Sequence, residues 1–84
     1  MKVALPPRLA SLAGTATVEI EGRNLHEVLL AIESSFPVLK GELLVNDRLR
    51  SGLAVAIDGV VAKIGLYEPL QAQEIRFVPA IGGG

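Results

Sequence analysis

The stretch NLHEVLLAIESSFP, residues 24–37, dictates one amphipathic helix, and that helix constrains everything around it. Asn24 suits an N-cap because its side chain can accept a hydrogen bond from an amide that the first turn leaves unpaired. Glu27, three residues on, can return a bond as a capping box. Leu25, Val28, Leu29, Ile32 and Phe36 recur at helical spacing and build one apolar stripe, while His26, Glu27 and Glu33 fall on the wet side. Pro37 ends the helix, since the residue before a proline is pushed out of the helical region. One helix cannot bury such a stripe alone, so the rest of the chain must supply a second layer.

That second layer reads as strands. TATVEIE, residues 15–21, alternates polar and apolar positions, with Val18 and Ile20 on one side and Glu19 and Glu21 on the other. Residues 2–5 form a short extended run stopped by Pro6-Pro7, which cannot donate ladder hydrogen bonds. The intervening RLASLAG is expected to connect them as a long hairpin loop or one short helical turn. ELLVN, residues 42–46, has the length for a short strand. GLAVAIDGVVAK then places two apolar runs around Asp58-Gly59, a dipeptide suited to the positive φ angles of a type I′ hairpin turn. GLYEPLQAQ is a turn-rich connection. In the last strand, EIRFVPA, alternation sends Ile75 and Phe77 inward and Arg76 and Val78 outward, and Pro79 ends the strand or sits where no ladder donor is needed. The expected architecture is α+β, a mixed sheet of four to five strands packed on one main helix.

Composition agrees and excludes much else. A chain of 84 residues is one domain that buries little more than roughly 60% of its unfolded surface, so its core must be efficient. Half the residues are apolar but only Phe36, Tyr67 and Phe77 are aromatic, which leaves the core to Leu, Val, Ile and Ala. A net charge of −1 without a basic run gives no footprint for nucleic acid. The absence of cysteine removes disulfides, thiol catalysis and Cys-ligated zinc, and no metal site is expected. No stretch approaches the ~20 apolar residues of a membrane span, and Pro6, Pro7 and Arg8 cut short any signal-like run at the start. A soluble, cytoplasmic domain is the expectation.

The catalytic motifs fail. His26 is the only histidine and reads as a solvated residue on the polar side of the helix. The carboxylates Glu19, Glu21, Glu27 and Glu33 look like ordinary wet faces. Glycines 82–84 have no helix after them to form an anion site. What no layer needs is the ending, VPAIGGG, whose last residues have no side-chain chemistry at all.

With that ending, the order of elements resembles the ubiquitin-like β-grasp fold and, within it, the MoaD/ThiS family of small sulfur carriers. The resemblance spans the chain: a strand entering a Leu-Pro segment in VALPPRLASLAG, the capped helix before a proline, LRSGLAVAIDGVV with Asp-Gly where Asn-Gly is usual, and EPLQAQEIRFVPAIGGG. A family ending like V-P-A-V-A-G-G overlays VPAIGGG without a gap, so Gly82 stands where a small residue precedes the essential Gly83-Gly84 pair. LQAQEI departs from the usual Leu-Lys-Asp-Gly-Asp-like turn.

The resemblance implies a division into a β-grasp domain over residues 1–81 and a flexible glycine tail over 82–84. It implies that a ubiquitin-activating-type enzyme adenylates the carboxylate of Gly84, the adenylate being a good leaving group, and that sulfur attack leaves a thiocarboxylate. No cofactor is bound by the domain itself, and ATP is used by the partner. Glycine suits Gly83 and Gly84 because a backbone without Cβ can thread a narrow channel. Arg76, Val78, Pro79, Ile81 and Gly82 are the expected partner-binding neck. The implied partners are the adenylating enzyme, a sulfur-donor protein and an acceptor synthase such as the large subunit of molybdopterin synthase, with thiamine, cysteine and tRNA thiolation as other destinations. The protein is then a carrier and not an enzyme. Two other readings are a ubiquitin-like modifier conjugated to lysines through Gly84, and a non-catalytic interaction module whose glycines are a linker.

Overall fold

The computed structural model describes residues 1–80. Along the chain run β1 (Lys2–Ala4), α1 (Pro7–Ala13), β2 (Thr17–Glu19), α2 (Leu25–Ser35), a 3-10 turn (Pro37–Leu39), β3 (Leu44–Val45), β4 (Arg48–Leu49), β5 (Leu53–Ile57), β6 (Val60–Ala62) and β7 (Glu74–Pro79). Five strands form one mixed sheet in the order β2-β1-β7-β5-β6, and β3 and β4 form a separate two-stranded ribbon. The first and last strands, β1 and β7, pair in parallel through Lys2↔Glu74, Val3↔Ile75 and Ala4↔Arg76. The other pairings are antiparallel.

The helix stripe and the sheet's inner face meet as the alternation requires. Val3, Val55, Ile75 and Phe77 from the sheet face Leu25, Val28, Leu29 and Ile32 from α2, and all eight are buried. Leu9 from α1, Leu39 from the 3-10 turn, and Leu43 and Leu70 from connections between elements close the core. Phe36 is half-buried at the end of α2 and packs against this core from its margin. With φ −131° and ψ 80° it has left the helical region, as a residue before proline must.

Three local expectations change. Most of the RLASLAG segment belongs to a seven-residue helix, Pro7–Ala13, because Pro7 presets the first turn and Gly14, at φ +80°, closes the last by donating to the Ala10 carbonyl. ELLVN supplies one arm of the β3–β4 hairpin. Its two turn residues, Asn46 and Asp47, have φ of 50° and 60°, the same handed turn as Asp58 and Gly59 at 49° and 87°. The cap of α2 also differs in one bond. The Glu27 amide donates to Asn24 Oδ1 at 2.8 Å as expected, but the returning Glu27 carboxylate accepts from the Arg23 amide at 2.9 Å, one residue upstream of the expected donor.

Pro79 lies inside a central strand without an orphaned partner. Ala80 donates to the Gly52 carbonyl and Asp58 donates to the Glu74 carbonyl, so the even-numbered residues of β7 carry the bonds to β5. Pro79, opposite Leu53, falls at an intervening position, and its nitrogen faces the side where β1 has already ended at Ala4↔Arg76.

Gly22 serves close approach between layers. A Cβ there meets Val28 Cγ2 at 2.9 Å and the Val28 backbone nitrogen at 3.1 Å, and Val28 is fully buried. Gly22→Ala is expected to destabilise the fold by about 1–3 kcal/mol through overpacking. Asn24→Ala is expected to cost about 1 kcal/mol through the lost cap. Urea unfolding monitored by circular dichroism measures both.

Candidate functional site

The central strand β7 carries the chain to the end of the sheet, and the last of its bonds among the described residues is the one from Ala80 to Gly52. Of the residues expected to form the neck, Arg76, Val78 and Pro79 are described. Ile81, Gly82, Gly83 and Gly84 lie outside the described residues.

Register places Arg76 on the outer face of the sheet, in a row that runs Thr17, Ala4, Arg76, Ala56, Val61 across all five strands. Val78 lies on the same face, opposite Ala54. Alanines on both sides of Arg76 leave its long side chain standing above its neighbours, 55% exposed, with Nη2 3.7 Å from Glu74 Oε1. Val78 is half-buried and Pro79 exposed. Val60 and Val61, on the edge strand β6, are 66% and 65% exposed, the most open large apolar side chains among the described residues.

Beside this strand end opens a hollow of about 970 Å³, floored by Leu49, Leu53, Ile64, Leu66 and Val78, with Pro79 and Ala80 in its wall. The hollow is apolar because β4, the start of β5 and the connection after β6 each turn leucine or isoleucine toward it. Arg48 and Lys63 also line it.

One wall of the hollow is braced by a polar cluster that the sequence does not announce. His26 Nε2 lies 2.9 Å from Asp47 Oδ1, the Tyr67 hydroxyl donates to Asp47 Oδ2 at 2.8 Å, and the two rings stack with centroids 4.7 Å apart. The His26 side chain is therefore only 20% exposed, which corrects the expectation of a solvated residue. Its amide also donates to the Leu66 carbonyl at 3.0 Å. The cluster ties the start of α2, the β3–β4 turn and the connection before β7 together, with Arg48 and Leu66 next in sequence to two of its members. The Tyr67 hydrogen bond, supported by that of His26, holds the Asp47 carboxyl below its ordinary range, and the same bond raises the Tyr67 hydroxyl. The only signal for it in the sequence is the Asn46-Asp47 turn pair. Among the described residues no group of three or more His, Cys, Asp or Glu side chains could hold a metal ion, and no helix is long and apolar enough to cross a membrane.

Small archaeal modifier protein 1 from Haloferax volcanii superposes on this chain with a TM-score of 0.72 at 28% identity, covering 100% of this chain and 98% of its own. Urm1 from Sulfolobus solfataricus does so with a TM-score of 0.73 at 26% identity, covering 95% and 100%. The chain has the ubiquitin-like β-grasp fold, and its neighbours are of the MoaD/ThiS type. At the level of fold alone, this β-grasp protein is also similar to the structure of the BexX/CysO complex from Amycolatopsis orientalis, with a TM-score of 0.80, 23% identity and 99% and 98% coverage. No protein-family model and no curated protein matches the sequence. The neighbours are ubiquitin-like sulfur carriers and modifiers, and the β-grasp protein matches them over nearly its whole length.

The depressed Asp47 carboxyl gives a signed prediction for acid stability. A group whose pKa is lower in the folded state contributes above its unfolded value, 3.8, and that contribution is lost as pH falls through the folded value. Asp47→Asn is expected to lower stability at neutral pH and to flatten the fall below about pH 4, where the wild type gives up the same interaction. Thermal melts of both proteins across the acid range test this. Parallel curves offset by a constant would show that Asp47 titrates normally.

Proposed function

We propose that the protein is a sulfur carrier whose C-terminal carboxylate, on Gly84, is adenylated by a ubiquitin-activating-type enzyme and converted to a thiocarboxylate. One observation carries the reading: the sheet's grip on the chain reaches Ala80, and the sequence VPAIGGG then places only small backbone and Ile81 between that grip and Gly84. Four residues extend at most about 13–14 Å, enough to carry a carboxylate away from the body of the domain while the body itself stays outside the enzyme's catalytic centre. Gly83 and Gly84 add no side chain to that path.

The chemistry requires nothing from the domain's own side chains. A carboxylate resists sulfur nucleophiles, whereas its mixed anhydride with AMP accepts one and releases AMP. ATP is bound and spent by the partner, and the domain acts as co-substrate. Arg76, Val78 and Pro79 on the described surface, with Ile81 and Gly82 beyond it, form the neck that the partner grips. Likeness in fold to a CysO solved in complex with BexX supports a domain that works docked on other proteins. The partners are the adenylating enzyme, a sulfur-donor protein and an acceptor synthase, with the large subunit of molybdopterin synthase the first acceptor to test. The site of action is the cytoplasm.

The similarity to small archaeal modifier proteins from two archaea, at 28% and 27% identity, favours a second use of the same activated tail, isopeptide bonding to lysines of other proteins. Both readings share the adenylation step and diverge at the nucleophile.

Incubation with the organism's adenylating enzyme, ATP and a sulfur source is expected to raise the intact mass by the difference between sulfur and oxygen. Deleting Gly83 and Gly84 is expected to abolish that gain while leaving the melting curve unchanged. An unaltered mass under conditions in which the enzyme consumes ATP with this protein sinks the carrier reading. Higher-mass conjugates in cells that vanish with the deletion establish the modifier reading.

A further inference from the structure

Of the two outer strands of the five-stranded sheet, β2 and β6, only β6 presents an uncharged edge. Ala80 donates to Gly52 and Asp58 donates to Glu74, and the pairs Ala54↔Val78 and Ala56↔Arg76 fall in step between those bonds. The even-numbered residues of β5 therefore turn their backbone groups toward β7, and Val55 and Ile57 turn theirs toward Ala62 and Val60 on β6. Val61, opposite Ala56, is left with its N–H and C=O aimed away from the sheet. Such an edge is a template for another strand unless charge, proline or a covering segment blunts it. On β2 the blunting residue is Glu19, with Glu21 just beyond. On β6 the residues are Val60, Val61 and Ala62, all exposed.

The pattern on β6 complements itself. A two-fold axis through Val61, normal to the sheet, sets the strand antiparallel to the β6 of a second copy. Val61 then exchanges both backbone bonds with the second copy's Val61, at about 5.5 Å between Cα atoms, and the two side chains meet on the outer face. Val60, 66% exposed on the other face, comes opposite the second copy's Ala62 at about 4.5 Å, so a large apolar side chain meets a small one. The same register brings Lys63 opposite the second copy's Gly59 and beside its Asp58. Asp58 Oδ1 accepts the Gln73 and Glu74 amides, both at 2.9 Å, whereas Oδ2 accepts no hydrogen bond among the described residues. Lys63 makes no ion pair among the described residues. Each copy thus brings one uncommitted cation and one half-used carboxylate to matching positions.

We infer that β6 is a self-association edge, on which two copies of this chain pair their five-stranded sheets into one continuous sheet. The occupant is a second copy because the sequence on either side of Val61 satisfies its own reverse: valine against valine, valine against alanine, and Lys63 against Asp58. Both β6 and β7 are antiparallel to β5, so they run in the same direction. Pairing β6 antiparallel to its counterpart therefore sends the two β7 ends in opposite directions. Both chain ends stay outside the interface, and the inference holds whatever the tail carries. With only three residues of strand on each side, the contact belongs to the smallest class of interfaces, and the dimer is a transient one.

The test uses the full chain. In sedimentation equilibrium at low salt, the average mass is expected to rise toward that of a dimer as the concentration approaches about 1 mM. Val61→Lys sets like charges face to face across the axis and is expected to weaken association at least about tenfold, with an unchanged melting curve in dilute solution. Lys63→Glu replaces two attractive contacts with repulsive ones. It is expected to weaken association at low salt and to recover part of it at about 500 mM salt, whereas the wild type loses affinity over the same range. In a mixture of isotope-labelled and unlabelled copies, intermolecular nuclear Overhauser contacts are expected between the two Val61 side chains. A protein that stays monomeric throughout, association unmoved by Val61→Lys, a salt response of the same sign in the wild type and Lys63→Glu, or intermolecular contacts confined to other surfaces each overturn the inference.

Discussion

The parallel pairing of β1 with β7 is the constraint on which the rest of the structure depends. Parallel neighbours cannot be joined by a tight turn and need a long crossover connection. Here nearly the whole chain is that connection. Because β7 sits at the centre of the sheet, it is paired on both sides, and its inner residues Ile75 and Phe77 are the part of the sheet that α2 covers. The same placement brings the end of β7 to the boundary of the fold beside Gly52, with β1 already finished on its other flank. A centrally held strand that stops in the open is a rigid mount for whatever follows it.

Around that mount the fold places two kinds of surface. On the outer face, alanines at 4, 54 and 56 make a low bed from which Arg76, Val78 and Val61 project. At the strand end, leucines from the ribbon and from β5 floor a hollow whose wall is stiffened by the His26, Asp47 and Tyr67 cluster. The polar cluster lies outside the chemistry proposed for the tail, and its effect is geometric. It sets where β4 and the connection before β7 stand relative to α2, and so sets the shape of the hollow between them.

Most of the fold was legible in the sequence because its strongest signals are local. The α2 stripe, the Asp58-Gly59 turn and the alternation in β7 each follow from spacing within a few residues. What escaped depends on partners far along the chain. The RLASLAG segment is helical because Leu9 has a core to enter, and that core is built from later elements. The β3–β4 hairpin is too short for periodicity to show, and its Asn-Asp turn is a weaker signal than Asp-Gly. His26 looked solvated because its two partners lie 21 and 41 residues away in sequence, and nothing near it foretells them. The candidate site divides along the same line. Arg76 and Val78 are placed by alternation, whereas the hollow beside them exists only once four separate segments have met.

The central position of β7 also bears on how the protein is made. A chain emerging from a ribosome presents its N-terminal segments first, and domains generally fold as units. In this fold the unit cannot close early, since β1 and β5 both wait for β7 to fill the gap between them. Until then Val3, Val55 and the α2 stripe lack the strand they pack against. A product cut short before Ile75 therefore has no route to a native core. Every folded copy has therefore been synthesised at least through the last strand, and folding itself removes products cut short upstream of it.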